Sequence, residues 1–188
     1  MDQAIQALIN RYFSPFRKSD LCRAKEDGAI SFSQWKQLLI TLKGTFSNYT
    51  IKDFSNLEND WCFVAEVLLH KHEKSFLDDD RELLRHLGGK KRSLLLFVSI
   101  LTPYYYYYVS EMSYDVMRDQ FIFSYYRPTE LEEEEVIQPL RTTLESYGYQ
   151  LLPTELAKSV LPNLETECLE KGQVTVFHCL FSELFSPH

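Results

Sequence analysis

The sequence predicts an α+β fold in which a mainly helical N-terminal half precedes an antiparallel sheet packed with helices. Apolar residues recur at helical spacing within residues 1–89, whereas β-rich segments with short connections dominate residues 90–188. Of the 188 residues, 45% are hydrophobic and 25% are charged, which is typical of a folded globular chain and not of a disordered one. We therefore expect one domain spanning residues 1–188.

Four helices are predicted in the N-terminal half, from the spacing of apolar residues and from capping residues. They span residues 4–12, 33–44, 56–69 and 78–87. The third is ambiguous, because its dense apolar run from Trp61 to Leu69 also suits a buried strand. Leu57 extends the helical spacing over three turns, so a helix is favoured there. Gly88 and Gly89 are expected to end the fourth helix.

The C-terminal half is predicted to contain a three-strand meander and one further strand. The meander strands are residues 93–101, 104–112 and 120–125, and the last strand is residues 173–181. Both faces of that last strand are apolar, so we expect it to be buried. Between them, Thr129 and Glu132 have the spacing of a helix capping box, and Pro139 should kink or break the helix that follows. Two short helices, residues 153–161 and 163–171, are expected to complete the half.

The cellular compartment is predicted from the N-terminus and the cysteines. Residues 1–5 lack the basic and apolar regions of a secretory signal, and the uncharged run 93–110 loses its apolar character after residue 101. The four cysteines include no CxxC pair, which favours reduced thiols. We expect a cytoplasmic protein without a membrane span.

Local sequence motifs give no support for a metal, a cofactor or a known catalytic site. His70 and His72 lie two residues apart beside lysines, which is the wrong spacing for a helical zinc site. The glycines and basic residues of 88–92 occur in the reverse order to a phosphate-binding loop. His178 and Cys179 are adjacent, so on a strand their side chains would face opposite sides. No cofactor is therefore predicted.

A run of five tyrosines, residues 104–108, is the most unusual string in the chain. On a strand, Tyr104, Tyr106 and Tyr108 share one face, and tyrosine is enriched in the cores of protein interfaces. The plainer interpretation is packing of one face with hydroxyls toward water on the other. Nucleic acid is disfavoured, because no cation lies between Arg92 and Arg118 to accompany base stacking.

The charge is distributed unevenly along the chain. Residues 1–94 hold 15 basic and 13 acidic residues, whereas residues 95–188 hold 5 basic and 14 acidic ones, a net charge of −9. Five glutamates fall within residues 130–135, although two would satisfy the dipole of the predicted helix. We expect the surplus to steer a basic partner and to repel nucleic acid. The candidate binding residues in this cluster are Glu132, Glu133, Glu134 and Glu135.

These observations favour a small acidic protein that binds a basic protein partner. An immunity or inhibitor protein that masks a toxin or nuclease would have this character. One alternative is an enzyme whose carboxylates or His178 are brought together only by folding, and another is a structural subunit of a larger assembly. A flat acidic patch beside the tyrosine strand would favour binding, whereas a deep pocket with convergent titratable groups would favour catalysis.

Overall fold

The computed structural model describes residues 3–13, 31–58, 60–74 and 81–188, and it shows an α+β fold built on one six-stranded sheet. The helices are α1 (Gln3–Tyr12), α2 (Phe32–Thr45), α3 (Arg81–His86), α4 (Glu130–Glu132), α5 (Gln138–Ser146), α6 (Thr154–Ala157) and α7 (Val176–Leu180), and a π-helical turn, Glu133–Ile137, joins α4 to α5. The strands are β1 (Thr50–Asp53), β2 (Cys62–Leu68), β3 (Lys90–Ser99), β4 (Tyr104–Asp115), β5 (Gln120–Tyr126) and β6 (Gln150–Leu151).

The sheet has the order β1-β2-β3-β4-β5, and neighbouring strands along this path are antiparallel. The predicted meander is confirmed as β3, β4 and β5. The short strand β6 adds parallel to the start of β4, on the side of β4 that β5 also occupies further along. This makes the sheet mixed, with one parallel pair.

The predicted helix over residues 56–69 is wrong, because residues 62–68 form strand β2. Both faces of β2 are covered. Phe63 and Val67 pack into the core on one side of the sheet, and Cys62 and Val64 pack into the core on the other. A strand buried on both faces is apolar throughout, and such a run can match helical spacing by coincidence. The N-terminal half therefore contributes two strands as well as helices.

The predicted C-terminal strand is also wrong in type, because residues 176–180 form the short helix α7. Its burial was predicted correctly, since every residue of α7 is buried. A capping box decides the conformation: the backbone N–H of Thr175 donates to Nδ1 of His178 at 2.9 Å, and the Thr175 side chain accepts from the N–H of the same histidine. A buried helix and a buried strand look alike in hydropathy alone.

The remaining helices agree with the sequence in part. Helix α2 begins after Ser31, whose side chain accepts from the N–H of Gln34, and not after Ser33. The capping box of Thr129 and Glu132 is confirmed. Pro139 lies near the start of α5, directly after the π-helical turn, so its missing N–H is accommodated there.

The other predicted helices are reduced in extent. Helix α3 stops before Gly88 and Gly89, which take φ angles of 76° and 90°, values that favour glycine. Residues 78–80, the predicted start of this helix, lie outside the described residues, as does Cys22. Of the two short helices after residue 152, only α6 forms, and residues 163–171 are irregular.

Two cores form, one on each face of the sheet. The first lies under α2 and α5 and includes Trp35 and Leu140. The second lies under α1 and α7 and includes Ile5 and Phe177. Strand β4 runs between the two cores, with Tyr105 in the first and Tyr106 in the second. None of the helices within the described ranges is long and apolar enough to cross a membrane.

Candidate functional site

The tyrosine strand is covered on both faces, so its predicted binding face is not an open surface. Tyr106 and Tyr108 are buried in the core under α7, and Tyr104 is half-buried. The hydroxyl of Tyr106 donates to the backbone oxygen of His188 at 2.7 Å, and the ring of Tyr108 lies 5.4 Å from that of Phe97. Burial raises the pKa of both phenols by desolvation. These residues primarily pack the fold.

The acidic cluster is brought by the fold against cations that are distant in sequence. Glu132 is buried, and its carboxylate accepts from Arg92 at 3.0 Å. Glu133 pairs with Arg141 at 3.0 Å. Glu135 accepts from Lys71 at 2.7 Å and from the hydroxyl of Tyr49 at 2.9 Å, and these bonds lower the pKa of its carboxyl group.

Two exposed members of the cluster differ from the others in lacking a cationic partner among the described residues. Glu130 and Glu134 are exposed, and neither forms an ion pair with any residue that the structure describes. Fewer than five negative charges of this cluster are therefore left uncompensated. Among the candidate binding residues Glu132, Glu133, Glu134 and Glu135, only Glu134 has no ion pair with a described residue.

The edge strand β5 is an open surface that the sequence analysis missed. Its side chains Ile122, Phe123 and Tyr125 are 41%, 54% and 43% exposed. The sheet face that α7 covers includes Phe121, Phe123 and Tyr125. Their register partners on β4 have even residue numbers, as do Tyr106 and Tyr108, which pack in the core under α7. The sequence shows the aromatic residues of this strand but not their exposure; among the described residues, the ring of His188 stacks on that of Tyr125, with centroids 4.1 Å apart.

The backbone of β5 also has an open side. The carbonyls of Pro103 and Tyr105 accept hydrogen bonds from the chain around β6, so the odd-numbered residues of β4 direct their backbone groups toward β5 and β6. Their partners on β5 are the even-numbered residues. The N–H and C=O groups of Phe121, Phe123 and Tyr125 therefore point away from the sheet.

The two edges of the sheet differ in how well they are protected. The edge strand β1 has four residues, and two of them, Lys52 and Asp53, are charged and exposed. Strand β5 has seven residues, Gln120–Tyr126, with neither a charge nor a proline. Charges, prolines and shortness are the usual means by which proteins keep an edge strand from pairing. Only β1 has them.

A slot interrupts the sheet beside β4. Strand β5 ends with Tyr126 opposite Val109, and β6 ends with Leu151 opposite Tyr105, so Tyr107 between them has no strand partner on this side. A cavity of about 310 Å³ lies at this gap. Residues that line this cavity, which we name the Tyr107 slot, include Tyr107, Tyr126, Arg127, Glu133, Arg141 and Leu151.

The histidines considered in the sequence have structural roles. Nδ1 of buried His178 caps α7, and burial lowers the pKa of its ring by desolvation. Nε2 of His70 accepts from the backbone N–H of Arg92 at 3.0 Å in the turn after β2. Across the described part of the chain, no group of three His, Cys, Asp or Glu side chains is arranged to hold a metal ion.

The comparisons with known proteins leave function to be argued from this geometry. No protein-family model matches the chain, and no curated protein or solved structure is significantly similar to it.

Proposed function

We propose that this protein is a binding module that takes an extended segment of a basic protein partner along the open edge of β5. The observation that carries the proposal is an edge strand with outward-facing backbone groups, exposed aromatic rings and no charge. Addition of a strand to such an edge is a recurring mode of peptide recognition, in which main-chain hydrogen bonds supply affinity and alternate side chains supply specificity.

The exposed rings would contribute to this interface as well as the backbone. Phe123 is 54% exposed although it is a large apolar side chain, and Tyr125, two residues further on the same face, is 43% exposed. Aromatic residues are enriched in the buried cores of interfaces, where they bring a large apolar area. Alternate side chains of an added strand would cover both rings.

The basic character of the partner follows from charge. The chain carries a net charge of −7, and its C-terminal half, which includes β5, carries −9. A second copy would bring like charges together, whereas a cationic partner would be attracted and steered. Exposed Glu130 and Glu134 follow the end of β5 in the chain and add to this field. An inhibitor or immunity protein that masks a cationic toxin or nuclease would work in this way.

We also propose that the protein works in the cytoplasm. Cys62, Cys168 and Cys179 are not joined in disulfides, and thiols stay reduced in that compartment. Cys168 is exposed, so its side chain would be in contact with the solvent of that compartment.

Amide hydrogen exchange tests the proposal with a synthetic peptide of alternating lysine and valine as the probe. In the free protein, the outward amides of Phe121, Phe123 and Tyr125 should exchange much faster than those of Ile122 and Ser124, which bond to β4. Saturation with the peptide should protect the three outward amides. A peptide of alternating glutamate and valine should protect them much less.

Two variants of one residue separate backbone pairing from ring contacts. Phe123→Pro removes an outward N–H, and Phe123→Thr keeps it while removing the ring. We expect the proline variant to lose the protection and the threonine variant to retain part of it. Protection that survives Phe123→Pro, or equal protection by the acidic peptide, would contradict the proposal. Peptide-independent protection that rises with protein concentration would show that a second copy is the occupant.

A further inference from the structure

The Tyr107 slot exists because two prolines end the strands that flank it. The register of β5 continues past Tyr126 to place Pro128 opposite Tyr107, and the register of β6 continues past Leu151 to place Pro153 opposite the same residue. Proline has no N–H, so Pro128 cannot donate to the Tyr107 carbonyl. Pro153 instead caps α6, and the chain leaves the sheet there.

Tyr107 therefore offers a free backbone donor and acceptor inside a cavity. Its N–H and C=O point toward the slot by the alternation of β4, and neither forms a backbone hydrogen bond with another residue in the described ranges. Such a donor and acceptor on one residue match the N–H and C=O of one residue in an extended peptide. The cavity of about 310 Å³ lies at the small end of ligand pockets.

The side chains around the slot favour a negative group on the ligand. Arg141 is held in place, since its Nη2 donates to the hydroxyl of Tyr107 at 2.7 Å and its Nη1 lies 3.0 Å from Glu133. Arg127 lines the same cavity, is exposed, and forms no ion pair within the described residues. Among the charged side chains that line the cavity, two guanidinium groups, those of Arg127 and Arg141, outnumber one carboxylate, that of Glu133, so the side chains give the slot a net positive charge.

We propose that the Tyr107 slot binds an amide N–H next to a carboxylate, the group found in an N-acylated amino acid or at the C-terminus of a peptide. The ligand N–H donates to the carbonyl of Tyr107, and one carboxylate oxygen accepts from the N–H of Tyr107. The other oxygen accepts from Arg127. The ring of Tyr126, which lines the slot on the same face of the sheet as the Tyr107 side chain, packs against an apolar side chain of the ligand. This site is separate from the outer edge of β5.

Titration calorimetry with acetyl-Gly-Gly-Val tests the inference, with the C-terminal amide of the same peptide as the control ligand. We expect the free carboxylate to be required and Arg127→Gln to weaken binding about tenfold or more, as expected for loss of a charge-assisted hydrogen bond. Arg118→Gln is the matched control, because Arg118 is also exposed but lies in the turn between β4 and β5. It should leave binding unchanged.

Two further readouts locate the site and identify the source of the ligand. The Tyr107 amide should show one of the largest chemical-shift changes in the bound state and should become protected from exchange. Acetylvaline binding as tightly as the tripeptide would identify a small acylated amino acid as the ligand class, and tighter binding of the tripeptide would identify a peptide terminus. Equal binding of the amidated peptide, equal loss in the Arg118 variant, or an unperturbed Tyr107 amide would overturn the inference.

Discussion

Nη1 of Arg92 lies 3.0 Å from Oε1 of Glu132, and this ion pair links strand β3 in the middle of the sheet to α4. The other carboxylate oxygen of Glu132 accepts from the backbone N–H and the hydroxyl of Thr129 at 2.8 and 2.9 Å. One buried carboxylate thus closes the capping box and compensates a cation on β3. The acidic cluster contains a structural member as well as exposed ones.

We predict that Glu132 and Glu134 differ sharply in their contribution to stability. Glu132→Ala removes the cap and leaves Arg92 without its partner, so the free energy of unfolding should fall by about 2–3 kcal/mol. Glu132→Gln keeps the capping geometry and should cost about 1 kcal/mol. Glu134→Ala, on the exposed side of the π-helical turn, should stay within roughly 0.5 kcal/mol. Urea denaturation measures all three, and equal losses for Glu132→Ala and Glu134→Ala would contradict the assignment.

Two strands of the meander were predictable because each has a periodicity or composition that a helix would not share. Gln120–Tyr126 alternates, and Tyr104–Asp115 begins with five aromatic residues. Strand β2 was not predictable in this way, because burial on both faces removes the alternation that distinguishes a strand. Its apolar residues then happened to fit helical spacing. The dense run over residues 62–68 was the better signal than the isolated Leu57.

The candidate site shows the same limit, since exposure depends on what covers a strand. Nothing in the tyrosine run shows that α5 and α7 lie over its two faces, and both elements come later in the chain. The cations that pair with the acidic cluster, Lys71, Arg92 and Arg141, are likewise supplied by tertiary contacts. The absence of charge and proline from β5 was visible in the sequence, but its meaning required knowing that β5 is an edge.

Titration of His178 should make stability depend on pH. Burial lowers the pKa of this ring below its ordinary value of 6.5, so the unfolded chain binds the proton more readily than the folded chain. Stability contributed by neutral His178 is therefore present above pH 6.5 and is lost as the pH falls below it. The pKa values of His70 and His188 are lowered by desolvation in the same direction, so comparison of variants is needed. Denaturation at neutral and mildly acidic pH should show a smaller loss for His178→Gln than for the wild type.

A difference in salt dependence should reveal whether the free acidic residues steer a partner. Glu134→Gln should slow association with the lysine–valine peptide at low salt, and the difference should vanish at about 1 M salt, where the Debye length is about 3 Å. Glu58→Gln is the control, because Glu58 is exposed but precedes β2, beside the opposite edge of the sheet. Stopped-flow kinetics at two salt concentrations measures the effect. Equal slowing of association by both variants would mean that only the net charge of the protein matters, and would contradict a local role for Glu134.

The direction of the backbone groups on β5 predicts opposite results for proline at adjacent positions. Phe123→Pro removes an N–H that points away from β4, so the ladder survives and the loss of stability should be about 1 kcal/mol. Ser124→Pro removes an N–H that bonds to β4 opposite Glu111, and the loss should be roughly 2–4 kcal/mol. Thermal and urea denaturation of the two variants check this. A larger loss at Phe123 than at Ser124 would reverse the assignment of the open edge.

Helix α7 should be essential to the core that it shares with α1. Val176 is 0% exposed, and Val160, on the neighbouring segment, is 52% exposed, so the two valines form a matched pair. Val176→Asp places a carboxylate among the apolar side chains of the second core, and the free energy of unfolding should fall by at least about 3 kcal/mol. Val160→Asp should cost less than about 1 kcal/mol, because its carboxylate stays in water. Near-ultraviolet circular dichroism would report whether the aromatic core survives the first substitution. An unchanged melting temperature for Val176→Asp would exclude α7 from the core, since a buried aspartate without a partner cannot be accommodated at no cost.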